Sequence, residues 1–220
     1  MLKKFVLILI AAVLLLTAGC NFAFTTSGTT GNQTTVPATN NAGSNENGLD
    51  LSLKYYAEID IRDYGKITIL LAQDVAPVTC ANFVMLAESG FYNGLTFHRI
   101  IEGFMMQGGD PEGNGFGGSD ETIIGEFAAN GYNNTLSHKR GVISMARSNA
   151  YNSASSQFFI VHQDSPHLDG NYAAFGYVTE GMDVVDAICA TAKPVDRNGM
   201  IAADAQPVMT SVTIRTESTN

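Results

Sequence analysis

The stretch Phe97-His-Arg-Ile-Ile-Glu-Gly-Phe-Met-Met-Gln-Gly-Gly-Asp110 decides how the rest of the chain is read. Two apolar runs, Phe97–Ile101 and Phe104–Gln107, are parted by Glu102-Gly103. Strand-like runs joined by a few residues that include Gly predict a tight β-hairpin. Counting outward from a turn centred near Gly103 places Arg99 opposite Gln107. Side chains alternate along a strand, so both then share a face with Met105. A guanidinium and an amide on an apolar sheet face are costly unless they are used. On this local pattern alone, a salt-bridged edge arginine beside a capped turn fits as well as a functional cation.

Upstream, Tyr56–Arg62 alternates, turns at Asp63-Tyr64-Gly65-Lys66 and continues as Ile67–Leu71, a second hairpin. Pro77 opens a helix over Val78–Glu88, with Phe83, Leu86 and Ala87 facing inward and Gly90 as its C-cap. Downstream, strands are expected at Gly141–Ala146, Ser156–His162, Ala173–Thr179 and Val208–Thr216, and a second helix at Met182–Ala190. Many short strands with only two helices, one near each end, predict a mainly β fold. The architecture expected is a closed β-barrel with helical caps, occupying residues 51–217.

The first twenty residues have another character. Lys3 and Lys4 precede a twelve-residue apolar run, Phe5–Leu16, too short to span a bilayer of about 30 Å but suited to an export signal. The run ends in Leu16-Thr17-Ala18-Gly19-Cys20, which is similar to a bacterial lipobox, although Thr17 stands where Leu is more usual. The expectation is a lipoprotein signal over 1–20, with Cys20 lipidated and anchoring the protein to a bacterial membrane from outside the cytoplasm. Residues 21–50 are dense in Thr, Asn, Gly and Ser, too polar to fold, and are expected to be a disordered tether. Its 28 residues from Asn21 to Gly48 would span roughly 30 Å.

Charge and motif spacing exclude several functions. The formal charge is −9, and −11 once Lys3 and Lys4 are removed, leaving 10 basic against 21 acidic residues. Nucleic acid is therefore not an expected partner. Gly113-Asn-Gly-Phe-Gly-Gly118 fits a nucleotide-loop pattern, but the reading foresees no strand before it and no helix after it, both of which that motif needs. His98, His138, His162 and His167 lack metal-ligand spacing, so no metal and no cofactor is expected. Cys80 and Cys189 fall on the two predicted helices and are expected to be reduced core thiols.

What is left is an apolar surface with one cation, and here the sequence resembles a known family. Phe97–Asp110, Gly141-Val-Ile-Ser-Met-Ala146, Ser155-Ser-Gln-Phe-Phe-Ile160 and Ser165–Gly176 resemble, in order and spacing, the signatures of the cyclophilin peptidyl-prolyl isomerases. The resemblance runs from about Ala57 to Ile214. It implies an eight-stranded antiparallel barrel capped by two helices, acting as a monomer on proline-containing unfolded or exported polypeptides. It implies Arg99 and Gln107 as catalytic residues, with Phe104, Met105, Ala146, Gln157, Phe159, His167, Leu168 and Tyr172 contacting substrate. His167 and Tyr172 stand where the best-known members have Trp and His, which implies only weak cyclosporin binding. Ala150-Tyr151 and Glu102 depart from the family in loops away from that face.

Such a reaction needs no nucleophile. X–Pro bonds interconvert slowly because amide resonance must be broken. In the twisted transition state the prolyl nitrogen regains a lone pair, and an arginine can donate to it there and not in the planar ground state. A barrel that grips Pro-containing segments without turnover is the rival reading. Retention of both Arg99 and Gln107 favours the enzyme, since a binder needs only the pocket.

Overall fold

The computed structural model describes residues 48–219; the expected leader, Cys20 and nearly all of the tether lie outside the described residues. Within them the alternating stretches form strands, each ending within a few residues of its expected bounds. β1 (Leu53–Ile61) and β2 (Gly65–Leu71) make the first hairpin, followed by α1 (Pro77–Glu88). The second hairpin is β3 (Thr96–Ile101) with β4 (Met105–Asp110). Then come β5 (Val142–Met145), β6 (Phe158–Val161), β7 (Ala174–Glu180), α2 (Met182–Thr191) and β8 (Met209–Ser218).

All pairings are antiparallel, in the order β3-β4-β6-β5-β7-β2-β1-β8. The closed barrel expected from sequence is not what forms. The sheet is a curled half-barrel, open between β3 and β8, whose edges share one isolated bridge, Thr96 with Val208. The reason lies in what already fills the outer edge of β3. Ile100 N–H donates to Gly199 O at 2.8 Å, and His98 O accepts from Ile201 N–H at 2.9 Å. Those backbone groups are taken by the loop before β8, so β8 cannot continue the ladder there.

Period-two alternation sends one set of side chains into the curl and the other outward. Ile59, Ile67, Ile69, Ile100, Met106, Phe158, Ile160 and Phe175 all go inside, at 1% exposure or less. Phe83 of α1 joins them, stacking on Tyr92 at 5.0 Å and meeting Phe158 edge-on at 5.5 Å. Met105 of β4, Val142 of β5, Phe159 and Val161 of β6 and Ala174 of β7 make, with Leu168 from the loop before β7, a second, smaller cluster. Because both faces are covered there, β6 reads as a continuous apolar run, FFIV.

α1 is finished by a tertiary contact at its start and a local one at its end. At the start of α1, the Glu126 carboxylate accepts from Val78 N–H at 3.1 Å and Thr79 N–H at 2.8 Å, and from the Thr79 hydroxyl at 2.7 Å. At its end the C-cap is Ser89, one residue before the expected Gly90. Gly90 N–H and Phe91 N–H close back on Ala87 O and Leu86 O, both at 3.0 Å. Cys80 and Cys189 are free and buried, and burial pushes the Cys189 thiol up to about 12.

Candidate active site

The site is built on the outer face of the second hairpin. Phe104 N–H donates to Ile101 O at 3.0 Å, closing a tight turn in which Gly103 adopts φ +76°. That turn sets the register, and Arg99 pairs directly with Gln107, as counting from Gly103 predicts. The Arg99 guanidinium is then held from two sides. Its Nη1 donates to Gln107 Oε1 at 3.1 Å and lies 3.8 Å from Met105 Sδ, while its Nε donates to the Asn198 carbonyl at 2.7 Å. Burial pushes its pKa down, opposed by Tyr172 and Asp196; a guanidinium starts so high that it stays charged.

Gln107 continues the chain of bonds. Its Nε2 donates to Gln157 Oε1 at 2.8 Å, and Gln157 Nε2 donates to the Gly117 carbonyl at 2.7 Å. Each amide uses its oxygen in one direction and its NH₂ in the other, which leaves one consistent orientation for the series. Among the described residues only Nε and Nη1 of Arg99 are engaged in this row, so Nη2 is the edge available to a ligand.

Beside this polar row is a cavity of about 150 Å³ lined by Arg99, Phe104, Met105, Gln107, Ala146, Arg147, Phe159, Leu168 and Tyr172. Met105, Phe159 and Leu168 are each no more than 8% exposed, so these apolar walls are packed and fixed. Tyr172 meets Phe159 edge-on at 6.0 Å. A second hollow of about 510 Å³ continues past Gln107, Ala146 and Gln157 to the Gly-rich loop at Gly115–Ser119. That loop follows β4 directly, contrary to the expectation that no strand precedes it. No helix follows: the chain wraps around Asp110, whose carboxylate accepts from Glu112, Asn114 and Gly115 N–H.

Eight of the ten expected protein-site residues therefore line one cavity. Gln157 lines the adjoining hollow and reaches the cavity through Gln107, and His167 lies exposed at the rim with its ring 5.5 Å from Phe104. Three groups were missed by sequence reading. Arg147 lies over Tyr172 at 4.8 Å and over Phe127 at 5.0 Å, and donates from Nε to Asn171 O at 3.0 Å. Its position directly after the Gly141–Ala146 motif was the available signal. The Asn198 carbonyl is a backbone group, invisible to residue type.

The third is His138, behind the pocket wall. Its ring stacks on Phe159 with centroids 6.0 Å apart and planes at 18°. Its Nδ1 lies 2.8 Å from Asp169 Oδ1 and its Nε2 3.0 Å from Ser144 Oγ. These are the residue types of a hydrolytic triad, but Ser144 is fully buried. The row therefore braces Phe159 and cannot present a nucleophile. Burial pushes the His138 imidazole below its ordinary value, against the pull of Asp169.

A charged donor edge beside a small pocket with packed apolar walls is what amide twisting requires: one group for the developing lone pair and walls to hold the ring. The cyclophilin-type peptidyl-prolyl cis-trans isomerase model matches residues 56–216, from within β1 to within β8, and takes in the whole site. The chain belongs to the cyclophilin family. It is similar to peptidyl-prolyl cis-trans isomerase B of Bacillus subtilis, 46% identical over 123 residues, which are 56% of this chain and 82% of that protein. An isomerase of Helicobacter pylori is 45% identical over 141 residues, 63% of this chain and 83% of that one. A third relative, peptidyl-prolyl cis-trans isomerase-like 2 of Rhizopus delemar, is 46% identical over 136 residues, which are 61% of this chain but only 25% of that protein. Among solved structures, a Cryptosporidium parvum cyclophilin crystallised in the presence of the dipeptide Ala-Pro is 30% identical. It superposes with a TM-score of 0.64 over 73% of this chain and 98% of its own.

Proposed function

We propose that this cyclophilin accelerates X–Pro rotation in unfolded or newly exported polypeptides, from a lipid anchor at Cys20 outside the cytoplasmic membrane. The observation that carries the catalytic part is the Arg99–Gln107–Gln157 row, which presents a fixed guanidinium beside the cavity walled by Phe104, Met105, Phe159 and Leu168. Arg99 donates to the prolyl nitrogen as the amide twists. Gln107 orients Arg99, and the walls hold the ring. Ala146 and Gln157 contact the substrate backbone, and Tyr172 and His167 border the pocket mouth. The Ala-Pro dipeptide named with the Cryptosporidium relative supports a proline-containing ligand. His167, smaller and better hydrated than an indole, supports weak cyclosporin binding. The protein acts as a monomer, without metal or cofactor.

Exchange NMR on an X–Pro peptide tests the activity: cis and trans peaks should exchange faster on adding catalytic amounts of protein. Binding without faster exchange would leave a Pro-peptide-binding module and overturn the enzyme. The anchor rests on Leu16-Thr-Ala-Gly-Cys20. Cys20→Ala should shift the protein from the membrane to the soluble fraction, and equal retention of both forms on membranes would contradict it.

A further inference from the structure

β3 is an edge strand, and the segment Pro194–Ile201 lies along its open side. The segment is a tight turn of its own. Val195 N–H donates to Met200 O at 2.7 Å, and the Asp196 side chain closes the turn from within, its Oδ1 accepting from Asn198 N–H at 2.9 Å and Met200 N–H at 3.0 Å. The turn is docked on β3 on both sides of Arg99, through Gly199 O to Ile100 N–H and Ile201 N–H to His98 O. There is no slack in that docking. A Cβ at Gly199 would come 2.4 Å from Ile101 Cγ1 and 2.8 Å from Ile100 O, and its φ is +88°.

At the tip of this turn, the Asn198 carbonyl accepts the Nε–H of Arg99 at 2.7 Å. An arginine side chain has several rotatable bonds, and one hydrogen bond leaves it free to swing. Holding Nε from one side and Nη1 from the other, by Gln107, leaves a single orientation with the far edge toward the cavity. We propose that Asp196 is a positioning residue for Arg99, fixing the Asn198 peptide so that its carbonyl aims the guanidinium at the bound prolyl nitrogen. The effect on rate rests on the isomerase reading above; the effect on Arg99 geometry does not. The plainer role for the same turn is protection of a sheet edge, and it makes different forecasts.

Three variants, set beside wild type and Arg99→Ala, and one resonance separate them. Asp196→Ala removes the acceptor that closes the turn, and kcat/KM should fall about two- to tenfold, the equivalent of one net hydrogen bond. Peptide affinity should hardly change. Asp196→Asn keeps the acceptor oxygen and loses the charge, so it should recover most of the rate. On an Arg99→Ala background, Asp196→Ala should add nothing, since its effect passes through a group no longer present. The Arg99 Nε–H signal in a ¹⁵N spectrum should be protected from solvent exchange in the full protein, lose that protection in Asp196→Ala and keep it in Asp196→Asn. Slowing by the same factor with and without Arg99, or an Nε–H signal indifferent to Asp196→Ala, would overturn the proposal. A wild type without turnover overturns the isomerase reading instead, and the resonance alone then decides on Asp196.

Discussion

Arg99 illustrates how one residue is made useful by its surroundings. A guanidinium is always charged, and its value here comes from being held by the Gln107 amide on one side and the Asn198 carbonyl on the other. The pairing with Gln107 was legible in sequence because both residues sit on one hairpin, eight positions apart, and strand alternation relates them. The contact with Asn198, 99 positions away, was not, because no local pattern encodes a long-range backbone carbonyl. His138 behind Phe159 escaped because its side-chain partners Phe159 and Asp169 are also distant in sequence. Phe159 carries a prediction at this scale. It is a wall and not a donor, so Phe159→Ala should raise peptide Kd and lower kcat/KM by a similar factor, about tenfold, with kcat little changed. Titration and kinetics on the folded variant check this; a fall in kcat with unaltered affinity would mean that Phe159 acts in the twisted state alone.

At the scale of elements, strands and helices were legible because their apolar periods are undisturbed, and the misjudged feature was how they assemble. Closure of the barrel depends on whether β8 reaches β3. That is decided by the loop that fills the β3 edge, through Gly199 and Ile201. Capping of α1 was likewise beyond reach, since Pro77 announces the helix but its exposed N–H groups find Glu126, 47 positions on from Thr79. Glu126 is 2% exposed. Deleting its carboxylate leaves buried donors without acceptors, and the negative end also favours the helix N-terminus. Glu126→Ala should therefore cost about 1–3 kcal/mol of stability, and Glu126→Gln, which keeps one acceptor oxygen, less. Denaturant unfolding reads both; equal stability of all three forms would show that the cap is idle.

Across the whole molecule, two buried imidazoles make stability depend on pH. His98 and His138 are both at most 1% exposed, and burial pushes each below the ordinary 6.5. Neither ring nitrogen of His98 has a hydrogen-bond partner among the described residues, and the pull of the Asp110 charge toward the protonated ring is outweighed by burial. With both values depressed on folding, the unfolded chain takes up protons first as pH falls. The stabilisation is fully present above about 6.5 and is lost as pH drops from there through the lower folded values. The denaturant midpoint should fall on going from about pH 7 to about pH 5, and His98→Met should remove part of that slope. A flat midpoint across the range would contradict the burial of neutral rings. The central claim, that the barrel face is a catalyst and not only a grip, turns on Arg99. The most direct test sets peptide Kd beside the cis–trans exchange rate for wild type and Arg99→Ala. A charged hydrogen bond made mainly in the twisted state is worth about 1.5–3 kcal/mol, so the substitution should lower kcat/KM roughly ten- to two-hundredfold while Kd changes little. Wild type that binds the peptide and leaves its exchange rate at the uncatalysed value, or Arg99→Ala that loses affinity and rate in equal measure, would contradict it.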